Sequence, residues 1–98
     1  MAIYFEWDPQ KERINIRKHG IGFELAQTVF EDPGLVLMQD RMVEGEPRWQ
    51  AIGMAAGEIL LLVAHTVFDG ERDEEIIRII SARRADRNER ERYRTFDV

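Results

Sequence analysis

Ile59-Leu60-Leu61-Leu62-Val63-Ala64-His65-Thr66-Val67 and, one acidic turn later, Glu75-Ile76-Ile77-Arg78-Ile79-Ile80-Ser81-Ala82-Arg83 decide the fold class of this chain. Both runs are rich in β-branched and large apolar residues and are bounded by turn signals, so each reads as a strand. Working backwards, Arg48 to Met54 and Leu35 to Gln39 have the same character. Ala55-Ala56-Gly57-Glu58 is a short hairpin connection, and Asp69-Gly70-Glu71-Arg72-Asp73 is a longer, exposed one. Connections this short join antiparallel neighbours, because a parallel crossover needs about a dozen residues or more. An antiparallel meander of about four strands is expected between Leu35 and Arg83.

The N-terminal third reads differently. Ile3-Tyr4-Phe5-Glu6-Trp7 is a short aromatic and β-branched strand, and Asp8-Pro9 supplies an N-cap followed by proline at the first helical position. Arg17-Lys18-His19-Gly20 ends that helix with basic residues and a C′ glycine. Phe23, Leu25, Ala26, Val29 and Phe30 recur at helical spacing and stop before the turn Asp32-Pro33-Gly34. After the strands, Asp86 and Glu89 have the spacing of a capping box and open a charged helix to Phe96. The string β-α-α-β-β-β-β-α predicts an α+β fold over residues 1–98, one domain, with the helices against one face of the sheet.

Composition bounds the chemistry. The chain has 98 residues, no cysteine, two histidines and a formal charge of −5. At this length a single modest core must use nearly every apolar segment. Absent thiols remove disulfides, thiolate nucleophiles and thiolate metal sites, and two histidines leave little for zinc, so no metal or cofactor is expected. The longest apolar run is far short of the roughly 18 residues of a membrane span, and Met1 to Trp7 has no signal-peptide pattern, which implies a cytoplasmic protein. Overall acidity conceals an uneven distribution: residues 24–75 hold twelve acids against three arginines, whereas residues 76–98 hold seven arginines against four acids. A local basic surface survives the acidic total.

Several residues stand out against that background. Lys18 and His19 could pair with a phosphate and exchange a proton, although basic residues before a C′ glycine also suit the helix terminus electrostatically. His65 shares a strand face with Ile59, Leu61, Val63 and Val67, so it is either a satisfied core residue or, at an open strand end, a base. Arg78 interrupts four isoleucines, and burying a guanidinium there costs several kcal/mol unless it is paired or lies on an open face. Strict alternation puts Arg78 with Ile76, Ile80 and Arg84 on one face, and Ser81 and Arg83 with Ile77 and Ile79 on the other. Arg84, Arg87, Arg90, Arg92 and Arg94 with Tyr93 could track phosphates, but the interspersed acids equally fit a solvated or partner-binding helix.

Taken in order, Phe5-Glu6-Trp7-Asp8-Pro9, Asn15-Ile16-Arg17-Lys18-His19-Gly20, Phe23-Glu24-Leu25-Ala26, Val29-Phe30 and Ile77-Arg78-Ile79-Ile80-Ser81-Ala82-Arg83-Arg84-Ala85, followed by Glu89-Arg90-Glu91-Arg92-Tyr93, resemble the BrnT toxin family. The resemblance implies a RelE-like fold and a type II toxin: a ribonuclease that needs no ribosome, neutralised by a BrnA-like ribbon-helix-helix antitoxin that alone contacts operator DNA, in a possible hetero-oligomer. Carried onto the matching positions, it implies that Lys18, His19, His65, Arg78 and Arg83 carry the chemistry and that Ser81 and Tyr93 hold RNA, to which the charged terminal segment adds Arg84 and Arg87 as RNA contacts. Metal-free RNA cleavage needs a proton taken from the 2′-OH, a stabilised phosphate dianion and a protonated 5′ leaving oxygen. His65 or His19 would move protons, Arg78 and Arg83 would stabilise charge, and Lys18 would orient phosphate. The alternative is a noncatalytic protein- or nucleic-acid-binding module using the same surface.

Overall fold

The computed structural model describes residues 2–96. Its elements are β1 (Ala2–Glu6), α1 (Pro9–His19), α2 (Phe23–Gln27), a 3-10 turn (Thr28–Glu31), β2 (Val36–Val43), β3 (Glu46–Ala55), β4 (Ile59–Asp69), β5 (Glu74–Arg84) and α3 (Arg87–Phe96). The helix boundaries follow the capping chemistry. Asp8 accepts a hydrogen bond from the Gln10 N–H at 2.9 Å, Pro9 opens α1, and Gly20 closes it with φ +73°, a left-handed conformation that glycine adopts without steric cost. Asp86 and Glu89 form the reciprocal capping box ahead of α3, at 2.8 and 2.9 Å. No helix among the described residues is long and apolar enough to cross a membrane.

The four expected strands do form an antiparallel series, β2 to β5. The sheet nevertheless has five strands in the order β1-β5-β4-β3-β2, because β1 pairs parallel with the outer edge of β5, Glu6 facing Arg78. The expected RelE-like sheet of about four antiparallel strands is therefore corrected to a five-stranded mixed one. A local pattern identifies a strand but not its neighbour, and here the route through the helices returns β1 to the far edge.

A second correction concerns the helices, which cover both faces. On one face, α2 and the 3-10 turn bring Phe23, Ala26 and Val29 onto Ala51, Ala55, Leu61, Val63, Ile79 and Ala82. Gly53 permits that approach: a Cβ there would sit 3.0 Å from the Val29 carbonyl oxygen. On the other face, α3 lays Tyr93 on the cluster of Val36, Ile52 and Leu62, against which Met38 and Leu60 also pack. Tyr93 is fixed further by donating its hydroxyl to Asp32 at 2.7 Å.

Only part of the β5 edge is paired with β1, and α1 finishes the job with a side chain. The buried Asn15 amide donates to the Ala82 carbonyl at 2.8 Å and accepts from the Ala82 N–H at 3.0 Å, imitating a neighbouring strand. Its second amide hydrogen goes to the Ile21 carbonyl at 2.8 Å, so the α1–α2 corner is tied to the sheet by one residue.

Between those two edge partners lies a β-bulge. Ala64 opposes Ser81 and His65 opposes Ile79, so Ile80 is the extra residue of β5. The slip exchanges the faces of everything beyond it. Arg78, facing Thr66, consequently shares a sheet face with Ser81 and Arg83, while Ile79 and Ala82 both enter the core. Strict alternation had separated Arg78 from Ser81 and Arg83; the bulge reunites them.

Candidate active site on the open half of the sheet

α3 covers one end of its sheet face and leaves the other end open. Across that open end the registers align Glu6 of β1 with Arg78 of β5, Arg78 with Thr66 of β4, and, one residue beyond the Trp49–His65 pair, Thr66 with Arg48 of β3. Residues paired in register project from the same face, so these four side chains form a row across the sheet. Arg78 is exposed and bonded to Glu6, Nε–Oε2 2.7 Å and Nη2–Oε2 2.6 Å, with its guanidinium 5.3 Å from the Phe68 ring centre. Arg78 and Arg48 line one cleft of about 470 Å³ together with Lys11 of α1, Glu6, Glu46 and Ile80.

A second cleft of about 280 Å³ continues past the bulge, lined by Lys11, Lys18, His19, Ile80 and Ser81. Lys11 and Ile80 belong to both. The seven-residue spacing of Lys11 and Lys18 puts them on one side of α1, and Asn15 between them docks that side on β5. Basic side chains thus run from Arg48 and Arg78 through Lys11 to Lys18, beside His19, interleaved in the first cleft with the carboxylates of Glu6, Asp8 and Glu46.

Two polar atoms in this region are anomalous. Arg48 Nε and Thr66 Oγ1 are buried and have no hydrogen-bond partner among the described residues. A buried donor left unmade costs about 1–3 kcal/mol, so such atoms call for a ligand or a reason.

The remaining residues singled out in the sequence are placed elsewhere. His65 is 1% exposed, packs edge-on against Phe30 at 4.9 Å and donates its Nδ1–H to the Val63 carbonyl at 3.2 Å. Arg83 forms a two-pronged pair with Glu89, both contacts 2.8 Å, which clamps β5 to α3 and raises the arginine pKa. Arg84 and Arg87 are exposed, away from the row. Tyr93 is committed to Asp32. Lys18, His19, Ser81 and Arg78 are therefore brought together around the bulge, whereas His65, Arg83 and Tyr93 serve the packing. Sequence reasoning missed Lys11, Arg48 and Thr66. The helical spacing of Lys11 and Lys18 was a usable signal, but Arg48 and Thr66 acquire meaning only from strand register.

Burial holds the His65 imidazole below its usual pKa of 6.5, and the bond to the Val63 carbonyl opposes this only in part. The folded protein then binds fewer protons than the unfolded chain below pH 6.5, so stability is complete above that pH and falls as pH drops through it. We expect urea unfolding to show lower stability at about pH 5.5 than at about pH 7.5, and His65→Leu to remove most of that difference. An undiminished pH dependence in the variant would place the titrating group elsewhere.

Fold and site together define a small α+β domain with a charged cleft on the half-open face of a five-stranded mixed sheet. A family model described as "Ribonuclease toxin, BrnT, of type II toxin-antitoxin system" matches residues 7–89, and the chain belongs to that family. The crystal structure of the Brucella abortus ribonuclease toxin BrnT is similar in fold: TM-score 0.58, 24% identity, covering 89% of this chain and 100% of that one. No curated protein sequence matches the chain significantly.

Proposed function

We propose that this toxin-family chain cleaves RNA without a metal ion or the ribosome, on the open half of the sheet, acting in the cytoplasm. The supporting observation is the alignment of Arg78 and Arg48 on one face, next to the Lys11, Lys18 and His19 side of α1. Arginines in this position supply the positive charge that the phosphate dianion needs in the transition state, and their fork geometry suits two nonbridging oxygens. His19 is placed to exchange a proton with the 2′-OH or the 5′ oxygen, and Lys18 to orient the phosphate. His65 and Arg83, both tied into the packing, are replaced in this scheme by His19 and Arg48. A BrnA-like ribbon-helix-helix antitoxin would neutralise the chain in a hetero-oligomer by covering the groove, and would provide all contact with operator DNA.

EDTA-treated protein on single-stranded RNA tests this reading. The expected products carry a 2′,3′-cyclic phosphate and a 5′-OH, and a 2′-deoxy substitution at the cleaved position should abolish the cut. Activity that disappears with EDTA and returns with Mg²⁺ would overturn metal independence. RNA binding without turnover would leave a noncatalytic module.

A further inference from the structure

We infer that the outer edge of β1 docks an extended protein segment, which adds a further strand to the sheet and carries basic residues toward the turn between β4 and β5. The inference is independent of the RNA-cleaving reading. β1 ends the sheet order, and among the described residues its only strand partner is β5. Its outward backbone N–H and C=O groups form a template for another strand. The two edges of the sheet differ in this respect. β2, at the opposite edge, slips its register between Gln39 and Met42, where Asp40 and Arg41 stand. A bulge and charges in mid-strand discourage further pairing. β1 pairs without a slip from Ala2 to Glu6 and contains no proline, lysine or arginine. Its one charge, Glu6, is bonded to Arg78 of β5.

The side chains of that edge are apolar and open. Ile3 and Tyr4 are 51% and 52% exposed, and alternation sends them to opposite faces. Tyr4 begins a row that continues in register through Ile76 to Phe68, itself 37% exposed. A strand laid on β1 would cover Ile3 with one set of its side chains and Tyr4 with the other. Charge then selects the occupant. The turn beside the start of β1 carries Asp69, Glu71, Asp73, Glu74 and Glu75 against Arg72, and Glu74 and Glu75 are the register partners of Ala2 and Ile3. An added strand lies two strand spacings from β5, about 9–10 Å, and the small Ala2 side chain leaves Glu74 open to a long lysine or arginine from it. The same carboxylates repel the phosphates of a nucleic acid. They also oppose a second copy of this chain, because antiparallel pairing of two β1 strands about Tyr4 sets the Glu6 of each in the row of the other's Glu74.

The probe is a short labelled peptide of alternating valine and threonine with lysines at both ends. A second version has glutamates in place of the lysines, and a third is N-methylated at alternate residues, so that one of its edges has no N–H. Binding to the full chain is read from anisotropy at fixed ionic strength, and its place from amide hydrogen exchange. The lysine peptide should bind and slow exchange over Ala2–Glu6, whereas the glutamate and N-methylated peptides should lose binding. Tyr4→Ser should weaken the lysine peptide about 10-fold at an unchanged thermal midpoint. Glu74→Gln with Glu75→Gln should remove the difference between the lysine and glutamate peptides. If Tyr4→Ser lowers the midpoint, the glutamine variant and the N-methylated peptide decide the matter. No binding of the lysine peptide, or equal binding of the N-methylated one, would overturn strand addition. Equal binding of the glutamate peptide to wild type would overturn the basic partner. A dimer in sedimentation equilibrium that Tyr4→Ser dissociates would give the edge to a second copy, and loss of 2′-O-methyl RNA binding in Tyr4→Ser would give it to RNA; either result overturns the inference. Whether the chain cleaves RNA leaves all of these readouts untouched.

Discussion

Arg78→Ala is expected to lower RNA cleavage by about 100-fold or more, since removing one donor that stabilises transition-state charge typically costs about 3–4 kcal/mol. The same change should barely move stability. Arg78 and Glu6 retain 53% and 41% side-chain exposure, and ion pairs this open contribute about 0–1 kcal/mol. The contrast between the two magnitudes makes the variant informative: a large catalytic loss with an unchanged thermal midpoint means that the guanidinium acts on the substrate. Glu6→Gln sharpens the test by removing the ion pair while leaving the arginine in place. If Arg78 matters only as the partner of Glu6, both variants lose the same activity. If it acts on phosphate, Glu6→Gln keeps activity at or above wild type. Arg78→Lys should recover only part of the rate, because lysine offers a point charge without the fork.

Asn15→Ala is expected to cost about 3–5 kcal/mol, a large fraction of the 5–15 kcal/mol that holds a domain of this kind together. The substitution leaves the Ala82 N–H and the Ala82 and Ile21 carbonyls without the partner they now share. For a domain near 100 residues this corresponds to a fall in thermal midpoint of roughly 15 °C or more. Asn15→Asp should be at least as damaging, because a carboxylate can accept from Ala82 but cannot donate to either carbonyl. The effect reaches the groove, since α1 carries Lys11, Lys18 and His19 and is docked through this residue. A midpoint loss under about 3 °C would mean that water replaces the amide at little cost and that apolar contacts hold α1 in place.

Elements with local signals were legible from residue order alone. Asp8, Pro9 and Gly20 bound α1, Asp86 and Glu89 cap α3, and the glycine-containing turns delimit an antiparallel series from β2 to β5. Each of these depends on groups a few residues apart, so composition and spacing are sufficient. Alternation along β4 likewise placed His65 on the face of Leu61 and Val63, but it could not say whether that face was covered. Phe30, 35 residues earlier in the chain, supplies the cover and turns a candidate base into a core residue.

Tertiary structure alone decided the rest. The partner of β1 is β5, which is distant in sequence, and Glu6 meets Arg78 only through that parallel pairing. One extra residue at Ile80 exchanges sheet faces, because side chains alternate with a period of two and a single slip inverts them all. That slip, rather than any feature of the arginines themselves, sets Arg78 on the open face. Arg83 and Glu89 are six residues apart, yet their pairing depends on where α3 lies on the sheet. Arg48 and Thr66 carry no local signal: they come opposite one another, with Arg48 Nε and Thr66 Oγ1 buried, only once β3 and β4 are in register.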